Sequence, residues 1–173
     1  MNQELWDSYN IQGQKLGFDL VRGEKIPQDV YHLVVDIIVR HVSDHSYLLL
    51  QRDFNKVSNP GLWEIGAGGA AIKGEEPLDA ALRELKEESG IEGHDLKEIY
   101  DTVYNQGQSL HVGYECVTDI HKQDIILQAT ETIRYRWITP KELIKFYHSS
   151  NCIKSQRILL KDYMEGLELI YKN

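Results

Sequence analysis

The segment Gly69–Ile91, GAAIKGEEPLDAALRELKEESGI, constrains this chain more than any other, because it places three acids together on one short helix. Pro77 suits a first helical turn, Leu78, Ala81, Leu82 and Leu85 recur on one face, and Gly90 is a good terminator. Glu84, Glu87 and Glu88 fall at i, i+3 and i+4, so their side chains share a face. At the α-helical repeat, that face lies roughly 120° around from the leucine stripe. The leucines are then expected to anchor the helix on a sheet while the carboxylates point into a cleft. Three acids this close repel one another unless cations neutralise them. Hard divalent cations with a preference for oxygen, Mg²⁺ or Mn²⁺, answer that need. Arg83 can pair with Glu87 one turn on or reach back to Glu75, orienting a carboxylate through its planar guanidinium. The residues alone leave a plainer alternative open, a Glu-rich helix face that is simply solvated.

Around this helix the pattern is that of a mixed sheet. His32–Arg40 and Tyr47–Arg52 are apolar runs separated by the turn-forming Ser43-Asp44-His45-Ser46, as in a hairpin. Residues 21–31, with Gly23 and Pro27, read as loop or a short edge strand, and Trp63–Ala71 is a stretch punctuated by glycines, which allow close backbone approaches. Further strands are expected at Leu96–Tyr104, Ser109–Val117 and Ile133–Ile138, with helices at Pro140–Tyr147 and from about Lys154 to Tyr171. Strands with interspersed helices and no regular alternation predict an α/β (α+β) domain. No linker or repeat divides the 173 residues, so one domain over 1–173 is expected, with an N-terminal extension to about residue 30 and C-terminal helices over about 140–173.

The net charge of -8 argues against a broad basic surface for nucleic acid polymers. A small phosphorylated substrate stays compatible if metal ions sit between carboxylates and phosphate oxygens. No apolar run is long enough to cross a bilayer, and the start MNQELWD lacks the basic and apolar regions of a signal peptide. With only Cys116 and Cys152 present, a disulfide framework is not expected, and a cytoplasmic setting fits.

The Gly69–Ile91 segment also resembles the Nudix box: Gly69, Glu75, then Arg83-Glu84-Leu85-x-Glu87-Glu88-x-Gly90-Ile91. From average residue usage, such a match at one given start has a chance probability on the order of 10⁻⁹. The resemblance implies a loop–helix–loop against a mixed β-sheet sandwiched between helices. It implies Glu84 and Glu88 as principal metal ligands, Glu87 as a further ligand or base, and the Gly69 backbone carbonyl completing the coordination. Arg83 and Glu75 look like the pair that positions the carboxylates. The implied reaction is attack of an activated water on one phosphorus of a diphosphate. The general base is expected in the box or in a loop outside it, where Glu131 is the candidate.

Beyond the box, Glu4-Leu5-Trp6-Asp7, Gly17, Arg22-Gly23-Glu24, Tyr31-His32, Leu49-Leu50-Gln51-Arg52, Lys56 and Pro60-Gly61-x-Trp63 resemble the isopentenyl-diphosphate-isomerase-like branch of the family. That likeness implies Arg52 and Lys56 as grips for the substrate diphosphate. True isomerases carry a cysteine and then a histidine in the loop before the helix, where this chain has Gly68 and Ala70. His32 matches another isomerase metal position and reads here as a strand residue lining the cleft or as core. The expected activity is therefore hydrolysis of a nucleoside diphosphate derivative or nucleotide. An isomerase-like enzyme and a non-catalytic metabolite-sensing module are the alternatives. Trp6, Tyr31, Phe54, Trp63 and Tyr104 are candidates to stack on a base, and the C-terminal helices carry apolar surface for the domain or for a homodimer.

Overall fold

A computed structural model of the chain describes residues 3–171, so the expected domain limits at residues 1 and 173 lie outside the described residues. The chain opens with a hairpin, β1 (Leu5–Tyr9) against β2 (Lys15–Val21), and then enters the main sheet at β3 (His32–His41) and β4 (Tyr47–Arg52). The glycine-rich stretch forms two short strands, β5 (Trp63–Ile65) and β6 (Ala67–Ala70), followed by α1 (Pro77–Ser89). Strands β7 (Lys97–Tyr104), β8 (Ser109–Thr118) and β9 (Thr132–Ile138) complete the sheet, and α2 (Pro140–Tyr147), α3 (Lys154–Leu159) and α4 (Lys161–Tyr171) close the fold.

The sheet is mixed. β3 runs parallel to β8 from His32↔Ser109 to His41↔Thr118, and β6 lies antiparallel on the other edge of β3, from Val34↔Ala70 to Ile37↔Ala67. β4 pairs antiparallel with β5 and β9 and touches β3 at Arg40↔Tyr47. Alternation along the strands then fills two cores. Leu33, Val35, Ile37 and Val39 of β3 pack with Ala80, Ala81 and Leu85 of α1, and Leu48 and Leu50 of β4 join them. Tyr47, Leu49 and Ile38 face the other way, onto Leu143 and Phe146 of α2 and Met164 and Leu167 of α4. The sheet is thus held between helices, as the sequence predicts.

Gly66 joins the two halves. Its φ is +76°, and a Cβ there would strike the Ile37 carbonyl, so only glycine lets β5 beside β4 pass into β6 beside β3. Gly90, at φ +73°, stops α1 and donates its N–H to the Lys86 carbonyl.

Two expectations need correction. Leu78 is 45% exposed, so of the expected stripe Ala81 and Leu85 are buried, and Ala80, Glu88 and Ser89 complete the face that holds α1. The small alanines face the sheet, and the helix is rolled so that Glu88 lies on its buried side. The C-terminal helix is also broken: α3 ends at Leu159, and Leu160 (ψ 10°) turns into the second core, 2% exposed, before α4 begins. Burying that leucine outweighs continuing one straight helix. Residues 21–31, expected as loop or a short edge strand, are largely loop, and the N-terminal extension before them, for which no element was expected, holds the β1–β2 hairpin.

Candidate active site

The site lies where α1 crosses β6. Gly68 and Gly69 present bare backbone to the helix, and a Cβ on Gly69 would occupy the place of the Glu84 carboxylate. Glu88, 5% exposed, accepts the Gly68 N–H at 3.1 Å. Two of the box acids therefore rest against the glycine strand.

Arg83 organises the remaining acids. Its Nε and Nη2 donate to the two Glu75 oxygens at 2.7 and 2.8 Å, a bidentate pair, while Nη1 reaches Glu84 at 2.8 Å and Glu87 at 3.2 Å. Nη2 also meets the Ala70 carbonyl at 3.2 Å, which pins the helix to the end of β6. The Glu75 carboxyl is held below its usual range by Arg83, despite partial burial, and also accepts the Ile72 N–H. Burial pushes the Glu84 carboxyl up, against the pull of Arg83. Glu88 is pushed up further, first by burial and then by its neighbour Glu64. Burial raises Glu64 too, with Arg52 opposing.

The opposite wall comes from three loops. Arg52 closes β4 and Lys56 follows it, Gln128 and Glu131 precede β9, and Glu4 and Arg22 come from the hairpin, paired at 2.7 Å. Together they bound a cleft of about 240 Å³ containing Gly68, Gly69, Ala70, Arg83, Glu84, Glu87 and Glu88. The Asp53 N–H donates to the Glu131 carbonyl at 2.8 Å, so the two loops are tied by backbone. Lys56 pairs with Glu131. Arg52 pairs with Glu64 and also donates to the Ser58 carbonyl and hydroxyl.

All nine residues expected in the site line this cleft except Glu75, which stands behind Arg83. Glu64, Glu4 and Arg22 were not expected as site residues. Glu64 alone had a signal in the sequence, an acid between Trp63 and Ile65 in an apolar strand. His32 is not in the cleft wall; it stacks on Trp6, with ring centroids 4.3 Å apart. Trp6, Tyr31, Phe54, Trp63 and Tyr104 are likewise absent from that wall.

The donor set, carboxylates and a carbonyl, suits a hard divalent ion, and the contact between Glu84 and the bare Gly69 backbone leaves that carbonyl beside a ligand oxygen. Among the described residues, no three acidic, His or Cys side chains are already gathered as a metal cage; Arg83 instead holds Glu84 and Glu87.

The fold is shared with solved structures. A Deinococcus radiodurans protein aligns over 97% of this chain and 99% of its own, with TM-score 0.74 and 21% identity. A MutT protein from Methanosarcina mazei aligns over 83% of this chain and 96% of its own, with TM-score 0.62 and 20% identity. The NUDIX domain family model matches residues 30–155. Uncharacterised Nudix hydrolases of Listeria monocytogenes and Listeria innocua are each 30% identical over 145 residues, covering 81% of this chain and 82% of theirs. The chain belongs to the Nudix family and is a pyrophosphohydrolase, an enzyme that cleaves diphosphate linkages.

Proposed function

We propose that this enzyme hydrolyses the diphosphate of a nucleoside diphosphate linked to a further group, or of a nucleotide, with Mg²⁺ or Mn²⁺. The observation carrying this is the placement of Glu84 and Glu88 against the bare Gly68–Gly69 backbone, facing basic residues across one cleft. Glu84, Glu87, Glu88 and the Gly69 carbonyl would hold the ion, which when bound acidifies a water and screens charge on the diphosphate. Arg83, anchored by Glu75, orients Glu84 and Glu87. Glu131 takes the proton of the attacking water, with Glu87 the candidate inside the box. Lys56 and Arg52 attract the substrate phosphates. Related folds support a nucleotide substrate: a Shewanella oneidensis NrtR NUDIX domain is solved with ADP-ribose, at TM-score 0.55 and 20% identity over 66% of this chain and 77% of its own.

The likeness to the isopentenyl-diphosphate-isomerase-like branch is one of ancestry in this reading, not of activity. Cys116 and Cys152 are buried, with thiols raised to about 11 by burial, and neither lines the cleft, which also has no histidine. Proton transfer at a hydrocarbon therefore lacks its groups. We place the enzyme in a reducing compartment, the cytoplasm, and assign the exposed Leu169 and Ile170 of α4 to a two-fold homodimer, which sedimentation would check. Among the described residues, no helix is long and apolar enough to cross a membrane.

The test is a phosphate-release screen of nucleotides, nucleotide sugars, dinucleoside polyphosphates and isopentenyl diphosphate, with Mg²⁺, Mn²⁺ or EDTA. Cleavage of one nucleotide class, abolished by EDTA, is the expected result. Silence across the panel with tight binding of one compound would instead identify a metabolite sensor.

A further inference from the structure

A second cavity of about 190 Å³ lies beside the catalytic cleft, and Arg52, Gly68 and Gly69 belong to the walls of both. Asp36 stands in this second wall, on β3. One of its oxygens, Oδ2, is doubly used: it accepts the Tyr100 hydroxyl at 2.9 Å and meets His111 Nδ1 at 2.6 Å. His111 is held in turn by Ser109, whose hydroxyl lies 3.0 Å from Nε2. This arrangement fixes the carboxylate, while Oδ1 has no partner among the described residues. A network that holds one oxygen of a cavity-lining carboxylate and leaves the other without a protein partner is organised to accept a hydrogen bond from something beside it.

The chemistry of the wall narrows what that is. Arg52 is shared with the catalytic cleft, where it is assigned to the diphosphate, and apart from His111 the rest of the wall carries acids and neutral groups. Ser58, Asn59 and Ser155 supply short groups able to donate and to accept. No Phe, Tyr or Trp stands in the wall, and the imidazole of His111 is its one ring. The volume equals the share of roughly six liquid waters, enough for one sugar ring.

We propose that this cavity is the subsite for the group attached to the diphosphate, and that it takes a polyhydroxylated ring, a pentose or hexose, held through a hydroxyl donated to Asp36 Oδ1. This deepens the hydrolase reading and rests on it: with the diphosphate over Glu84 and Glu88, only Arg52 and the bare Gly68–Gly69 backbone stand between the phosphates and this cavity. The substrate class is then a sugar-bearing diphosphate.

Direct binding tests this separately from turnover. Titration calorimetry with Mg²⁺ would compare ribose 5-phosphate, O-phosphoethanolamine and methyl phosphate on the full chain. Wild type is expected to bind ribose 5-phosphate at least tenfold more tightly than methyl phosphate. Asp36→Asn, which keeps the volume, and Val34→Phe, which fills the cavity, should each erase that advantage while leaving methyl phosphate affinity unchanged. Equal or undetectable binding of the two in wild type overturns the subsite, as does an advantage that survives Asp36→Asn. Tighter binding of O-phosphoethanolamine than of the sugar phosphate overturns the hydroxyl assignment in favour of an amine. An enzyme that cleaves no diphosphate yet shows the expected binding pattern would reject the hydrolase reading and keep the sugar subsite.

Discussion

Lys56 and Glu131 pair across the mouth of the cleft, joining the loop after β4 to the loop before β9. The residue proposed to attract phosphate and the residue proposed to take a proton thus neutralise each other until substrate arrives. On the proposed roles, a phosphate that drew Lys56 away would free the carboxylate to act. Glu131→Gln is expected to lower kcat by about 10²–10⁴ with little change in KM, the usual loss for a missing general base. Lys56→Met should chiefly raise KM. Steady-state kinetics on the substrate found by screening would check both, and an unchanged kcat in Glu131→Gln would move the base to Glu87.

Glu88 combines burial, a single amide hydrogen bond and a close acidic neighbour, which makes it costly to the folded state. Glu88→Gln keeps an oxygen for the Gly68 N–H and removes the charge. Turnover should fall by at least about 10³ if the carboxylate holds the metal, while thermal stability stays level or rises. Calorimetric Tm measured beside activity separates this from simple unfolding; a large loss of both would sink the assignment.

Much of this site was legible because local spacing sets it. The i, i+3, i+4 acids, Arg83 and the capping Gly90 all act within one helix and the loop before it, so sequence distance equals spatial distance. What depends on tertiary packing was not legible. The roll of α1 that exposes Leu78 and buries Glu88 is chosen by the alanines against β6 and β3, not by the leucine count. The β1–β2 hairpin escaped although Leu16, Phe18 and Leu20 alternate with Lys15, Gly17 and Asp19, because the run is short, carries a glycine and leaves most of β2 exposed. The Arg52–Glu64 pair joins neighbouring strands, and the Asp36–His111 pair joins two strands 75 residues apart in the chain. No periodicity in either strand announces such a contact.

Gly69 offers a test of geometry with little backbone cost, since its conformation lies outside the left-handed region. In Gly69→Ala the new methyl would meet the Glu84 carboxylate and push it off the strand. Activity should fall by about 10–100-fold, the range seen when metal-site support is disturbed, with a stability change within about 1 kcal/mol. Wild-type kcat/KM in this variant would show that Glu84 does not work from that position.

His32 gives the fold a pH response of known sign. Burial, aided by the neighbouring His111, lowers its pKa to about 4, and its Nδ1 is buried without a hydrogen-bond partner. An unfolded histidine titrates near about 6.5. Above that pH the ring is neutral in both states and contributes nothing to the pH dependence. As pH falls from about 6.5 towards about 4, the unfolded chain binds a proton that the folded chain refuses, so folding weakens. In His32→Phe the ring that stacks on Trp6 remains but the titration does not. Denaturant midpoints for the two proteins at pH 7 and pH 4.5 check this: wild type should lose more stability over that interval than the variant. Equal losses would mean that His32 is protonated in the folded state or solvated enough to titrate normally.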